Sequence, residues 1–190
     1  VSPWRHLGHT RGQIDFTEQF ATLKACANAI ASMPYNSDHT FVTPTYSGAG
    51  NTELTVSWAG GNNAKVLNIP ESIVSGLTEI NLGSSVGNTK PLVINVIESD
   101  GDEDDDITLD LDLPPLTPST YKFVLYNFTN TEGTITIERD ISGTIFAPFA
   151  TVVTKGEVHG AVIAKQWTHE GGLVENGTNH VFNATIEWAP

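Results

Sequence analysis

The chain has 190 residues, of which 39% are hydrophobic and 16% charged, and its net charge is −13. That length fits one domain with a substantial core. The acidic charge excludes nucleic acid as a partner, because a phosphate backbone would be repelled. No apolar run approaches the ~20 residues of a membrane-spanning helix. The low charged fraction and the many Thr, Asn and Gly residues favour short strands and turns.

One long helix is predicted over residues 15–32. Asp15 is its N-cap and Glu18, three residues later, completes a capping box, while Pro34 lies beyond its end. Apolar residues recur at helical spacing and share one face: Phe16, Phe20, Leu23, Ala27 and Ile30. Cys26 is the single cysteine. It lies among small apolar residues, so a buried, inert thiol is expected.

From residue 41 onward the pattern indicates strands, with 54–58, 66–69, 92–97 and 121–128 as the clearest examples. Residues 92–97 form a continuous, mostly β-branched run, which is typical of a strand buried on both faces. Residues 114–118 contain three prolines and are expected to form a turn.

A short motif occurs twice, at 141–147 and at 158–164. Both copies read aliphatic-x-Gly-x-aliphatic-x-Ala, and Gly143 and Ala147 match Gly160 and Ala164 at an offset of 17 residues. This repeat indicates successive rungs of a β-solenoid, in which small residues allow close approach. Two strands of a β-sandwich would explain the same pattern. The predicted fold is therefore mainly β, solenoid-like or sandwich-like, with one long helix packed alongside.

The acidic segment 98–106 is the strongest chemical feature. Asp100, Asp102, Asp104 and Asp106 alternate as in a hard-cation loop, and Ca²⁺ prefers six to eight oxygen ligands. A solvated acidic loop explains the same residues, because charge runs usually face water. Both interpretations stay open. Ca²⁺ is the one cofactor that the sequence suggests, since the six histidines show no paired-ligand spacing.

No catalytic motif is present, neither a Gly-x-Ser-x-Gly elbow nor a Gly-rich phosphate loop, and we expect no enzymatic activity. Three N-x-Ser/Thr sequons begin at Asn127, Asn176 and Asn183. They favour a secretory route. We rank Asn176 and Asn183 above Asn127 as glycosylation sites, because Asn127 falls inside a predicted strand.

Several segments, taken in order, resemble the choice-of-anchor A family. They are the helix at 15–32, the Leu-Val-Ile-Asn-Val strand at 92–96, Leu-Tyr-Asn-Phe at 125–128, and the block ending in Ala147-Pro148 that is followed by Gly160-Ala-Val-Ile-Ala164. The resemblance covers about residues 14–187. It implies a secreted, adhesive module of surface proteins. The block from 141 to 164 also resembles the ice-binding β-solenoid fold, in which a long helix packs along a β-helix.

The family usually carries a Gly-rich β segment before the helix. We expect a single domain over residues 1–190 that lacks this segment.

The leading functional prediction is a non-catalytic adhesive or structural module of a secreted cell-surface or matrix protein. Its partner would be an extracellular protein or a carbohydrate surface. One alternative is a self-assembling subunit of an extracellular fibre, whose partners are copies of itself. A further alternative is ice binding, suggested by the pair Thr134 and Thr136. Thr144, Thr151 and Thr154 are not expected to extend that pair into an array.

Overall fold

The computed structural model describes residues 16–33, 39–97, 106–113, 116–117 and 119–171. Its elements, in chain order, are α1 (Phe16–Ala31), β1 (His39–Phe41), β2 (Thr45–Ser47), β3 (Glu53–Val56), β4 (Ala64–Pro70), α2 (Glu71–Val74), β5 (Glu79–Leu82), β6 (Leu92–Ile97), β7 (Ile107–Leu109), a 3₁₀ turn (Tyr121–Phe123), β8 (Val124–Thr129), β9 (Thr134–Ile137), β10 (Ile141–Thr154) and β11 (Val158–His169). Strands dominate, so the prediction of a mainly β fold is confirmed.

The large sheet is parallel throughout, with the strand order β1-β4-β6-β8-β10-β9-β7 and with β11 also paired to β10. A smaller sheet has the order β2-β3-β5. The large sheet curls into a solenoid-like half-barrel. β10 is the central element, because its first half pairs with β8, its second half with β9, and nearly its whole length with β11.

The two copies of the repeated motif are neighbouring parallel strands. Gly143 pairs with Gly160 and Ala147 with Ala164, at the predicted offset. A Cβ at residue 160 would lie 1.8 Å from the carbonyl oxygen of Gly143, so only glycine fits there. The register shifts between Ala147 and Thr151, the stretch that contains Pro148, which has no N–H to donate to a ladder.

The sheet is covered on both faces over β4, β6 and β8. Leu67, Ile94 and Tyr126 belong to the interior core of the half-barrel. Their neighbours Val93 and Leu125 belong to a second cluster on the opposite face, beneath α1. Cover on both faces explains why residues 92–97 form a continuous apolar run and not an alternating one.

Helix α1 packs on the second cluster. Ala27 is 0% exposed and Ile30 6% exposed, and the half-buried Leu23 and Cys26 pack against the same cluster. The predicted helix and its apolar face are therefore confirmed. The predicted cap Asp15 and the side chain of Phe16 lie outside the described residues.

The sequence predicted a strand from 121 to 128, but its first three residues form a 3₁₀ turn. The preceding threonines cause the difference. The main-chain nitrogens of Thr120 and Tyr121 donate to the carbonyl of Thr117 at 2.8 and 3.1 Å, and the Thr120 hydroxyl donates to that carbonyl at 3.0 Å. These local bonds compete with the sheet ladder, which begins only at Val124.

Candidate binding surfaces

The outer face of β9 carries threonines at alternate positions. The strand reads Thr134-Ile135-Thr136-Ile137, and alternate residues of a strand point to opposite faces. Ile135 is 0% exposed and Ile137 3% exposed, whereas both threonines are half-buried. The isoleucines anchor the strand in the core, and the threonines lie on the outer face.

The parallel register extends this face over neighbouring strands. Thr134 pairs with Thr151 of β10, and Thr151 pairs with Gln166 of β11. A second row, two residues further along each strand, also includes β7. We call the two rows the threonine grid, which consists of Thr108, Thr134, Thr136, Thr151, Val153, Gln166 and Thr168.

The grid is regular and uncharged. Neighbouring strands in a sheet lie about 4.8 Å apart, and alternate residues of one strand about 6.6 Å apart. The side chains of the grid therefore repeat at near-constant intervals, and five of the seven carry a hydroxyl group. The intervening residues Ile107, Ile135 and Val152 are each 0% exposed. Because the strands are fixed to the core in this way, the grid can meet a ligand with little loss of backbone freedom.

Ion pairs lie beside the grid. Their residues come after the second row, where β7, β9 and β10 end. Lys155 Nζ lies 2.7 Å from Glu138 Oε1. Arg139 donates from Nε to Asp110 at 2.7 Å and from Nη1 to Asp112 at 2.9 Å. The hydrogen bond to Glu138 raises the pKa of Lys155, and the hydrogen bonds to Asp110 and Asp112 raise the pKa of Arg139. These solvent-exposed pairs contribute little stability, and their two cations and three carboxylates leave one net negative charge beside the grid.

Trp167 on β11 is an exposed aromatic residue that points to the face opposite the grid, because its neighbours Gln166 and Thr168 belong to the grid. Its side chain is paired in register with Val152 and is 41% exposed. The indole Nε1 donates to Thr154 Oγ1 at 3.0 Å, and that hydroxyl also bonds His169 Nδ1 at 2.9 Å. An exposed indole that is already held in place is typical of a protein–ligand or protein–protein contact.

The sequence-based expectation about the threonine array was wrong for Thr151, which pairs directly with Thr134. It was right for Thr144 and Thr154, which are 2% and 1% exposed. Whether a threonine of β10 lies beside Thr134 depends on the register between β9 and the second half of β10. No local pattern in either strand predicts that register.

Residues 6–176 match the model of a family described as "Putative Ice-binding-like adhesive domain". The chain belongs to this family. No curated protein and no solved structure matches this chain.

Membership of the ice-binding-like adhesive family supports a non-catalytic adhesive role. It agrees with the resemblance to adhesin-like and ice-binding proteins that the sequence motifs indicated. The narrower choice-of-anchor A assignment stays a prediction. Within the described part of this adhesive chain, no helix has the length and apolar character that a membrane span requires.

The predicted Ca²⁺ ligands fall mostly outside the described residues, since Asp100, Asp102 and Asp104 lie in the segment 98–105. Asp106 is described and exposed, and its Oδ1 accepts the main-chain N–H of Thr134 at 2.6 Å. Among the described residues, no group of three or more His, Cys, Asp or Glu side chains is placed to hold a metal ion. The calcium site stays a prediction.

The three sequons have different positions in this adhesive domain. Asn176 and Asn183 lie outside the described residues. Asn127 is 0% exposed, and its Nδ2, the atom that would carry a glycan, donates to Ala27 and to Asn95. A glycan on Asn127 would have to replace these buried hydrogen bonds, and glycosylation at all three sequons stays a prediction.

Proposed function

We propose that the chain is a non-catalytic adhesive module of an extracellular surface or matrix protein, and that the threonine grid is the face that contacts its target. The supporting observation is the pairing of Thr134 with Thr151 and of Thr136 with Val153, which places uncharged side chains on one face. Such a face suits an ordered target that presents repeating hydroxyl groups or ordered water.

The adhesive role is tested by coating beads with the protein and measuring their retention on crystalline cellulose, chitin and collagen films. We expect retention on at least one film. Thr151→Lys should abolish it, because a bulky charge would interrupt the grid. The matched control is Thr45→Lys, the same substitution at an exposed position of β2 in the smaller sheet. Absence of retention on all three films, or equal loss in both variants, would contradict the proposal.

The extracellular location is tested separately in the source organism. Brief treatment of intact cells with a protease should release peptides of this chain, while a cytoplasmic marker protein remains uncleaved. Release of the chain only after cell lysis would contradict an extracellular location.

Ice is the second candidate target, and the regularity of the grid favours it. Wild-type protein at micromolar concentration should then inhibit ice recrystallisation, and Thr136→Lys should remove the inhibition. Wild-type protein that leaves ice-crystal growth unchanged would eliminate ice as the target, without affecting the bead experiment.

Self-assembly is the third candidate, and the position of β11 favours it. Among the described strands, β11 pairs only with β10, so its other edge has no described partner strand. Such an edge invites pairing with another chain. Sedimentation velocity should then show association that rises with protein concentration. A strict monomer at high concentration would rule out this role.

A further inference from the structure

A second surface feature is an open cleft of about 570 Å³, located where the 3₁₀ turn meets the first residues of β10 and β11. That volume lies within the range of small-molecule sites in proteins. Its lining combines aromatic, aliphatic and charged side chains, which are Asp112, Leu113, Leu116, Tyr121, Arg139, Asp140, Ser142 and His159. The cleft contains no residue of the threonine grid.

One wall of the cleft is a fixed aromatic pair. The rings of Tyr121 and His159 are stacked, with centroids 5.4 Å apart and an interplanar angle of 26°. His159 Nε2 lies 3.3 Å from Glu157 Oε2, which fixes the position of the imidazole. Leu113 and Leu116 extend this wall with aliphatic carbon.

The charged side chains of the lining are Asp112, Arg139 and Asp140. Arg139 donates from Nε to Asp110 and from Nη1 to Asp112. Asp140 accepts the main-chain N–H of Glu157 on Oδ1 at 2.7 Å. Guanidinium donors and carboxylate acceptors therefore belong to one lining, where both can bond the hydroxyl groups of a single ligand.

The charged side chains of the lining favour some classes of ligand over others. Asp112 and Asp140 outnumber Arg139 in the lining, so an anionic ligand would meet a net negative site. A cationic side chain would compete with Arg139, which already occupies Asp110 and Asp112. A neutral ligand with several hydroxyl groups suits the site better, because each hydroxyl both accepts from guanidinium and donates to carboxylate.

We propose that the cleft between Tyr121, Arg139, Asp140 and His159 binds a neutral saccharide. The hydroxyl groups would bond Arg139 and Asp140, and the C–H face of a pyranose ring would pack on the aliphatic and aromatic wall. This inference goes beyond the threonine grid and does not depend on it. The domain would then hold a glycan at one site and contact an extended surface at another.

The test uses the whole chain on a printed array of neutral, sialylated and sulfated glycans, followed by titration calorimetry with the strongest neutral glycan. Asp140→Asn keeps an oxygen for the N–H of Glu157 but removes the charge, and Arg139→Ala removes the guanidinium. We expect both variants to raise the Kd at least tenfold. Thr45→Lys on β2 and Lys24→Ala on α1 should leave the Kd unchanged.

Unfolding temperatures accompany each titration, so that loss of binding is separated from loss of the fold. Selective binding of charged glycans, absence of binding to every neutral glycan, or an unchanged Kd in both cleft variants would each overturn the proposal.

Discussion

The side-chain amide of Asn127 on β8 donates a hydrogen bond to the main-chain carbonyl of Ala27, 3.0 Å away, and thereby ties α1 to the sheet. The same nitrogen donates to Oδ1 of Asn95 at 2.8 Å, and Asn95 donates to Oδ1 of Asn68 at 2.8 Å. The three asparagines are in register on neighbouring strands. Asn95 and Asn127 are 0% exposed, so their amides form a buried ladder beneath the helix, where a lost partner is costly.

Replacing Asn127 by Ala should lower the free energy of unfolding by about 2–4 kcal/mol, because the Ala27 carbonyl and the Asn95 Oδ1 would both lose a donor in a buried site. Asn68→Ala is the matched control. Asn68 is half-buried at the other end of the ladder, and its loss removes one acceptor, so about 1 kcal/mol is expected. Urea midpoints with unchanged slopes measure both effects. A greater loss for Asn68→Ala than for Asn127→Ala would show that the ladder does not anchor the helix.

The helix and the pair of rungs were predictable because their signals are periodic and local. The apolar stripe that contains Leu23, Ala27 and Ile30 identifies the buried face of α1 without knowledge of its partner. The 17-residue offset between Gly143 and Gly160 identifies neighbouring strands, because a connection of that length returns the chain to the same position one rung later.

The asparagine ladder and the threonine grid were not predictable, because both depend on registers between strands that are separated irregularly. Asn95 follows Asn68 by 27 residues and precedes Asn127 by 32, so no constant period marks the ladder. The sequence showed Asn127 only as a sequon and as part of a family motif. Similarly, Thr151 pairs with Thr134 only because β10 pairs with β8 along its first half and with β9 along its second half.

Gly160→Ala should prevent normal pairing of β10 with β11. The added Cβ would lie 1.8 Å from the carbonyl oxygen of Gly143 and 2.7 Å from its carbonyl carbon, and the main chain of a neighbouring strand cannot move aside cheaply. We expect a loss of at least 3 kcal/mol, within the range of severe core substitutions, or failure to fold. Gly87→Ala is the control, because a Cβ there meets nothing within 4 Å. Equal unfolding temperatures for the two variants would contradict the close approach of these rungs.

Tyr126 should make the domain sensitive to alkaline pH. Burial raises the pKa of its phenol far above the ordinary value of 10, while the hydroxyl donates to the carbonyl of Ser142 at 3.1 Å. In the unfolded chain the phenol loses its proton near pH 10, whereas the native state keeps it. The unfolded state then binds fewer protons, so the contribution of Tyr126 to the free energy of unfolding is constant below about pH 9 and falls as pH rises through 10.

Tyr126→Phe tests this pH dependence, with chemical denaturation measured from pH 7 to pH 11. At neutral pH the variant should lose about 1 kcal/mol, because the Ser142 carbonyl loses its donor. Above pH 10 the difference between wild type and variant should shrink and reverse, since only the wild type has the phenol. Tyr46→Phe is the comparison at a half-buried tyrosine, where burial raises the pKa of the phenol less than at Tyr126, so the same but weaker pH dependence is expected. Parallel stability curves for wild type and Tyr126→Phe would refute the assignment.

The acidic loop gives the last prediction, which concerns Asp100, Asp102 and Asp104. If these carboxylates hold Ca²⁺ in the native state only, millimolar CaCl₂ should raise the Tm through mass action and EDTA should reverse the rise.

The double substitution Asp102→Asn with Asp104→Asn should remove the response. Asp106→Asn should weaken it less, because one oxygen of Asp106 is already engaged by the N–H of Thr134. Glu170→Gln, at an exposed carboxylate next to the end of β11, controls for the loss of one negative charge in Asp106→Asn, and MgCl₂ at equal concentration controls for screening. A Tm that responds equally to Mg²⁺ and Ca²⁺, or to neither, would leave the solvated acidic loop as the correct interpretation.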